Sequence, residues 1–142
     1  KVNKIRGGLW IIDRIVITDE NTAKSTYSLV TKYRKQLLKG SIADDVKQKI
    51  FDIANTRGYE IIAMETDKDH IHFLLSYDTT NRICDIVKTV KQETTYYLWQ
   101  KYHSFLLKQY WKKKIFWSDS YFACSIREVS SATIQKYIES QG

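Results

Sequence analysis

The chain of 142 residues, 43% of them hydrophobic, is sized for one compact domain with one core, and we read residues 1–142 as that domain. No apolar run approaches the roughly 18 residues that a bilayer-spanning helix needs, which excludes a membrane-spanning helix and predicts an intracellular, cytoplasmic protein. With 23 Lys and Arg against 16 Asp and Glu, a net charge of +7 and a pI near 9.3, the balance suits a polyanionic partner; the two cysteines, Cys84 and Cys124, are too few for a disulfide framework or a thiolate metal site and read as buried free thiols.

In chain order, Leu9 to Thr18 is rich in β-branched residues and reads as a strand after Gly7-Gly8, with a second extended piece at Tyr27 to Thr31. Ser41 with Asp44 resembles a capping box, and Ile42, Val46, Ile50, Ile53 and Ala54 then recur at helical spacing up to Arg57-Gly58. Tyr59 to Thr66 and His70 to Tyr77 form two strand patterns joined by the polar turn Asp67-Lys68-Asp69, an antiparallel hairpin. A second helix runs from about Thr80 to Tyr102 with Ile83, Ile86, Val87, Val90, Tyr97 and Leu98 on its apolar stripe. Ile115 to Val129 is extended, and Ser130 or Ser131 caps a short helix through Gln141. Proline is absent, and there is no repeat or linker. The order strand, helix, two strands, helix, strand, helix predicts an α+β fold, one antiparallel-rich sheet with helices packed on it.

In the segment HIHFLLSY the two-residue period of a strand puts His70, His72, Leu74 and Ser76 on one face and Ile71, Phe73, Leu75 and Tyr77 on the other. Two imidazoles from one rigid strand preorganise half of a metal site; a pair of structural histidines is the plainer alternative. The third histidine, His103, is no obvious further ligand. On the terminal helix, Tyr137 and Gln141 are four apart and share a face, so a phenol and an amide oxygen project together. Basic residues cluster at Lys32 to Lys39, at Lys88 with Lys91, and at Lys108 to Lys114, and the first and last clusters are interleaved with Tyr and Trp. Aromatics beside lysines can stack bases while the cations neutralise phosphates. The alternative is a solvated lysine face with its aromatics turned to the core.

The segment DKDHIHFLLSY followed downstream by IQKYIESQ, together with TKYRKQLLKG and FWSDSYF, resembles the IS200/IS605 family of single-strand transposases, the compact tyrosine enzymes of the HUH group. The likeness runs from about Tyr27 to Gln141 in the family's order, with Tyr137 well after His72, whereas relaxases carry their tyrosine ahead of the histidines. The resemblance implies a ferredoxin-like or RRM-like HUH fold, metal ligands at His70, His72 and Gln141, and Tyr137 as the nucleophile. It further implies magnesium or manganese as the ion, single-stranded DNA with hairpin ends as substrate, and a homodimer. The DNA-binding candidates are Lys32, Arg34, Lys35, Lys88 and Lys91. In the family the stretch before TKYRKQLL is usually one longer strand, whereas here the polar DENTAKS separates Leu9 to Thr18 from a short TYSLV.

A tyrosine hydroxyl ordinarily titrates at about pH 10, so it is a poor nucleophile at neutral pH unless a cation assists it, and a retained phosphotyrosine lets a 3′-OH rejoin the strand without ATP. In keeping with this, the sequence contains no GxxxxGK[ST] phosphate loop and implies no nucleotide cofactor. Three other readings share some of these residues. One is a related HUH single-strand endonuclease, repeat-associated or domesticated, with the same site residues. Another is a non-catalytic nucleic-acid-binding module with structural histidines, and the last a zinc hydrolase, which lacks a convincing carboxylate base.

Overall fold

The computed structural model describes residues 2–4, 10–12, 22–111 and 113–126. Its strands are β1 (Val2–Lys4), β2 (Trp10–Ile12), β3 (Thr22–Thr31), β4 (Glu60–Thr66), β5 (His70–Asp78) and β6 (Trp117–Ile126); its helices are α1 (Gly40–Arg57), α2 (Ile83–Lys101) and α3 (His103–Tyr110). The strands form one sheet in the order β1-β2-β4-β5-β3-β6, and every neighbouring pair is antiparallel. From β3 onward the chain runs β-α-β-β-α-α-β, and its four longer strands adjoin in the order β4-β5-β3-β6, which is the ferredoxin-like arrangement predicted.

Periodicity explains which face is covered. Ile71, Phe73, Leu75 and Tyr77 on β5, with Tyr27 and Leu29 on β3, join Val46 and Ile50 of α1 and Ile86, Val90 and Leu98 of α2 in one core. Tyr27 pairs with Phe73 in register, and their rings stack with centroids 4.9 Å apart. The predicted apolar stripe of α1 is buried, and the helix ends at Gly58, whose φ of 77° is the left-handed conformation that favours glycine. The α1–α2 pair is tied at its far end by Tyr102, whose hydroxyl donates to Asp45, and by Lys101, whose Nζ lies 2.9 Å from Asp45 Oδ2.

Several boundaries differ from the sequence reading. Of the predicted strand Leu9 to Thr18, Trp10–Ile12 is described as strand, and residues 13–21 lie outside the described residues. The extended piece expected at Tyr27 to Thr31 begins instead at Thr22, so β3 is one uninterrupted ten-residue strand. Ala23, Lys24 and Ser25 have low strand propensity, but pairing with β5 on one side and β6 on the other overrides it. The capping box does not form: α1 starts at Gly40 after Lys39, with no side-chain cap bond. The second helix starts at Ile83 rather than Thr80, because Asp78 Oδ1 accepts the Thr80 amide in a preceding turn. α3 was not anticipated, as its eight residues carry no capping signal. The cysteines are exposed rather than buried, Cys84 in the first turn of α2 and Cys124 on β6, where a neighbouring strand lies on one side among the described residues. The predicted terminal helix from Ser130 or Ser131 to Gln141 lies outside the described residues.

Candidate active site

β5 lies between β4 and β3 and presents His70 and His72 on the sheet face opposite Ile71 and Phe73. The two imidazole rings meet edge to face with centroids 4.5 Å apart. His70 Nδ1 lies 2.7 Å from Asp69 Oδ1. That hydrogen bond, with burial opposing it and Arg34 assisting, holds the Asp69 carboxyl below the usual range. An ionised carboxylate can only accept, so Nδ1 carries the hydrogen of this bond and Nε2 is the ring nitrogen left for any other partner. Arg34 Nη1 sits 3.3 Å from Asp69 Oδ2, and the Thr31 amide donates to the Asp69 carbonyl at 2.9 Å, so the residue that orients His70 is itself anchored on two sides.

Burial, with His70 beside it, pushes the His72 imidazole down to about 4, so it is neutral at physiological pH. Ser28 on β3 and Glu65 on β4 are its register partners and flank it on the same face. Glu65 Oε2 is buried without a hydrogen-bond partner among the described residues, and burial, with Asp67 nearby, raises its carboxyl above the usual range. Two imidazoles, one oriented by a carboxylate, are donor types that a divalent cation accepts, but among the described residues no group of three or more His, Cys, Asp or Glu side chains is placed to hold an ion, so the pair supplies part of such a site. Glu65 is absent from the sequence-derived set: the β4–β5 register, set by the turn that joins the two strands, places it opposite His72. Tyr137 and Gln141, the expected nucleophile and third ligand, lie outside the described residues.

The basic candidates separate into different settings. Lys32, Arg34 and Lys35 follow β3 in a short turn against α3: Lys32 Nζ is 3.0 Å from Asp119 Oδ2, and Lys35 Nζ lies 5.9 Å from the Tyr110 ring centroid. Lys88 is exposed on α2. Lys91 points to the start of β6, donating to the carbonyls of Ser118 at 2.7 Å, Asp119 at 3.3 Å and Ser120 at 3.4 Å, and burial lowers its pKa despite Asp119. Beside it, α2 and residues 114–119 line a groove of about 730 Å³ that includes Tyr96, Trp99, His103 and Lys114.

An antiparallel sheet that carries a His-x-His pair on an inner strand and helices on its opposite face is the arrangement expected from the resemblance to single-strand transposases. Comparison with known proteins agrees. Residues 22–141 match the family described as Transposase IS200 like, and the chain belongs to that family of transposases. It is similar to the ISDra2 transposase TnpA of Deinococcus radiodurans, 40% identical over 110 residues that span 78% of this chain and 77% of that protein. Among solved structures it resembles a protein of Deinococcus radiodurans R1 assigned as a transposase, with a TM-score of 0.69, 30% identity, and coverage of 90% of this chain and 97% of that one. In fold alone it also resembles a REP-associated tyrosine transposase bound to a REP hairpin, with a TM-score of 0.57, 15% identity, and coverage of 91% of this chain and 68% of that one. Among the described residues no helix is long and apolar enough to cross a membrane.

Proposed function

We propose that this transposase cleaves and rejoins single-stranded DNA through a tyrosine, with His70 and His72 as ligands of a magnesium or manganese ion and Gln141 completing the set. The observation that carries the reading is the histidine pair on β5, its rings 4.5 Å apart and its outer member fixed by Asp69, in a chain of the IS200-like family. A bound divalent ion supplies positive charge at the scissile phosphate and at the departing 3′ oxygen. His70 and His72 bring no charge of their own, and Asp69 keeps the His70 ring in one orientation. The Tyr137 oxygen forms a bond to phosphorus as the bond from phosphorus to the 3′ oxygen breaks; the phenolic proton is lost and the 3′ oxygen ends as a hydroxyl. The 5′-phosphotyrosine keeps the phosphoryl group activated, so a 3′-OH can attack it and reverse the step on another strand.

Hairpin ends as the recognised DNA are part of this reading, supported by the solved relative bound to a REP hairpin. A homodimer is part of it too. Its support is β6, which pairs on one side only among the described residues and exposes Tyr121 and Phe122, an edge that a second copy can cover. The test is incubation of labelled single-stranded DNA bearing element ends with magnesium or manganese, followed by denaturing electrophoresis. The wild type is expected to yield a covalent protein–DNA band that Tyr137→Phe, His70→Ala or chelation of the ion abolishes. A band that persists in Tyr137→Phe rejects the tyrosine mechanism. DNA binding without any adduct leaves the chain a binding module.

A further inference from the structure

The two aromatic-basic clusters of the sequence, about 75 residues apart in the chain, meet in space around one buried ring. The Tyr110 hydroxyl donates to the carbonyls of Lys32 at 3.0 Å and Phe116 at 3.3 Å, Lys35 lies against the Tyr110 ring, and the Lys32 amide donates to the Phe116 carbonyl at 2.8 Å. Two exposed aromatics adjoin Tyr110: Tyr33, 72% exposed with its ring 6.3 Å from that of Tyr110, and Trp111, its neighbour in the chain, 79% exposed. Both are held in backbone conformations that side chains disfavour. Tyr33 has φ 63° and Arg34 φ 52°, and Trp111 has φ 55° with ψ −121°, the first-corner geometry of a turn that glycine usually fills, closed by the Lys113 amide on the Tyr110 carbonyl at 3.3 Å. These three are the non-glycine residues with positive φ among the described residues, two of them in the turn after β3 that meets Tyr110 and the third next to Tyr110 in the chain. Folding alone gives no reason to strain two large rings into water, and such strain gathers at functional sites.

We propose that Tyr33 and Trp111 form a stacking platform for unpaired bases of single-stranded DNA, with Lys35, Lys113 and Lys114 alongside for the phosphates. This rests on the single-strand reading above and adds where the strand is gripped. Aromatic faces accept any base, and lysines beside them match the polyanionic backbone, so the ledge takes unpaired strand with little sequence preference. The ledge connects to the histidines through Arg34, which pairs with Asp69, the partner of His70, so strand held here lies next to the proposed site of chemistry.

The test uses Tyr33→Gly and Trp111→Gly, which remove the rings and relieve the backbone, in fluorescence anisotropy with a labelled oligothymidine and with the same strand made of abasic sugars. Each variant is expected to bind oligothymidine about tenfold more weakly, to bind the abasic strand as the wild type does, and to melt no lower than the wild type. Equal affinity of wild type and variants for oligothymidine overturns the platform, as does an equal loss on the abasic strand, which would mark a charge or folding effect. The covalent band of the wild type reads the catalytic proposal separately: an adduct with unchanged variant binding rejects the platform alone, and oligothymidine binding without an adduct rejects the chemistry alone. A wild type that binds no single strand rejects both.

Discussion

Asp69 is the residue on which most of the site's order depends. It accepts from His70 Nδ1, pairs with Arg34, and takes the Thr31 amide on its carbonyl, so it links the histidine strand to the turn after β3. Replacing it with alanine frees the His70 ring and leaves its tautomer unset. Asp69→Ala is expected to weaken manganese binding by about 10- to 100-fold, read by titration calorimetry, with little change in the far-ultraviolet circular dichroism. Unchanged affinity would mean that His70 is oriented by something other than Asp69. His70 and His72 were legible in the sequence because a period of two needs no tertiary knowledge to put them on one face. Glu65 was not, since its place opposite His72 depends on the hairpin closing over two residues, with the Asp67 amide donating to the His70 carbonyl, where the sequence reading took Asp67-Lys68-Asp69 as the turn. Tyr33 and Trp111 were visible as aromatics among lysines, but not the buried Tyr110 that brings them together.

At the scale of elements, α2 and β6 are joined by a buried polar contact. Thr94 is buried on α2, its Oγ1 donating to the Val90 carbonyl at 2.6 Å while accepting from Trp117 Nε1 at 2.8 Å, and Lys91 one turn earlier binds the carbonyls at the start of β6. Thr94→Val keeps the shape and strands the indole N–H, and is expected to cost about 1–3 kcal/mol in urea unfolding. A value near zero would mean that water reaches Trp117. The hairpin β4–β5 and the stripes of α1 and α2 were readable because hydrophobic spacing alone carries them. The first half of β3 was not, for Lys24 and Ser25 are buried by strands from distant parts of the chain, and α3 is too short to announce itself without a cap.

For the molecule as a whole, the α+β class followed from the order of elements, whereas the sheet order did not: β3, between β5 and β6, joins segments that are remote in sequence. That order has a consequence for how the protein comes apart. Backbone amides exchange their hydrogens with solvent through openings that begin at edges and ends, and a strand bonded on both flanks opens last. β5 is such a strand along most of its length, with β3 against it from Val30–His70 to Thr22–Asp78 and β4 against its other side. In hydrogen–deuterium exchange, the amides of β5 from Ile71 to Ser76 should therefore exchange only at the rate of global unfolding, while the β6 edge and the turn around Trp111 exchange sooner. Fast exchange in β5 would contradict the pairing described. On that pattern the histidine pair rides on the strand that opens last, while Trp111 of the proposed ledge sits in a turn that opens sooner, so local opening at the turn leaves the histidine geometry in place.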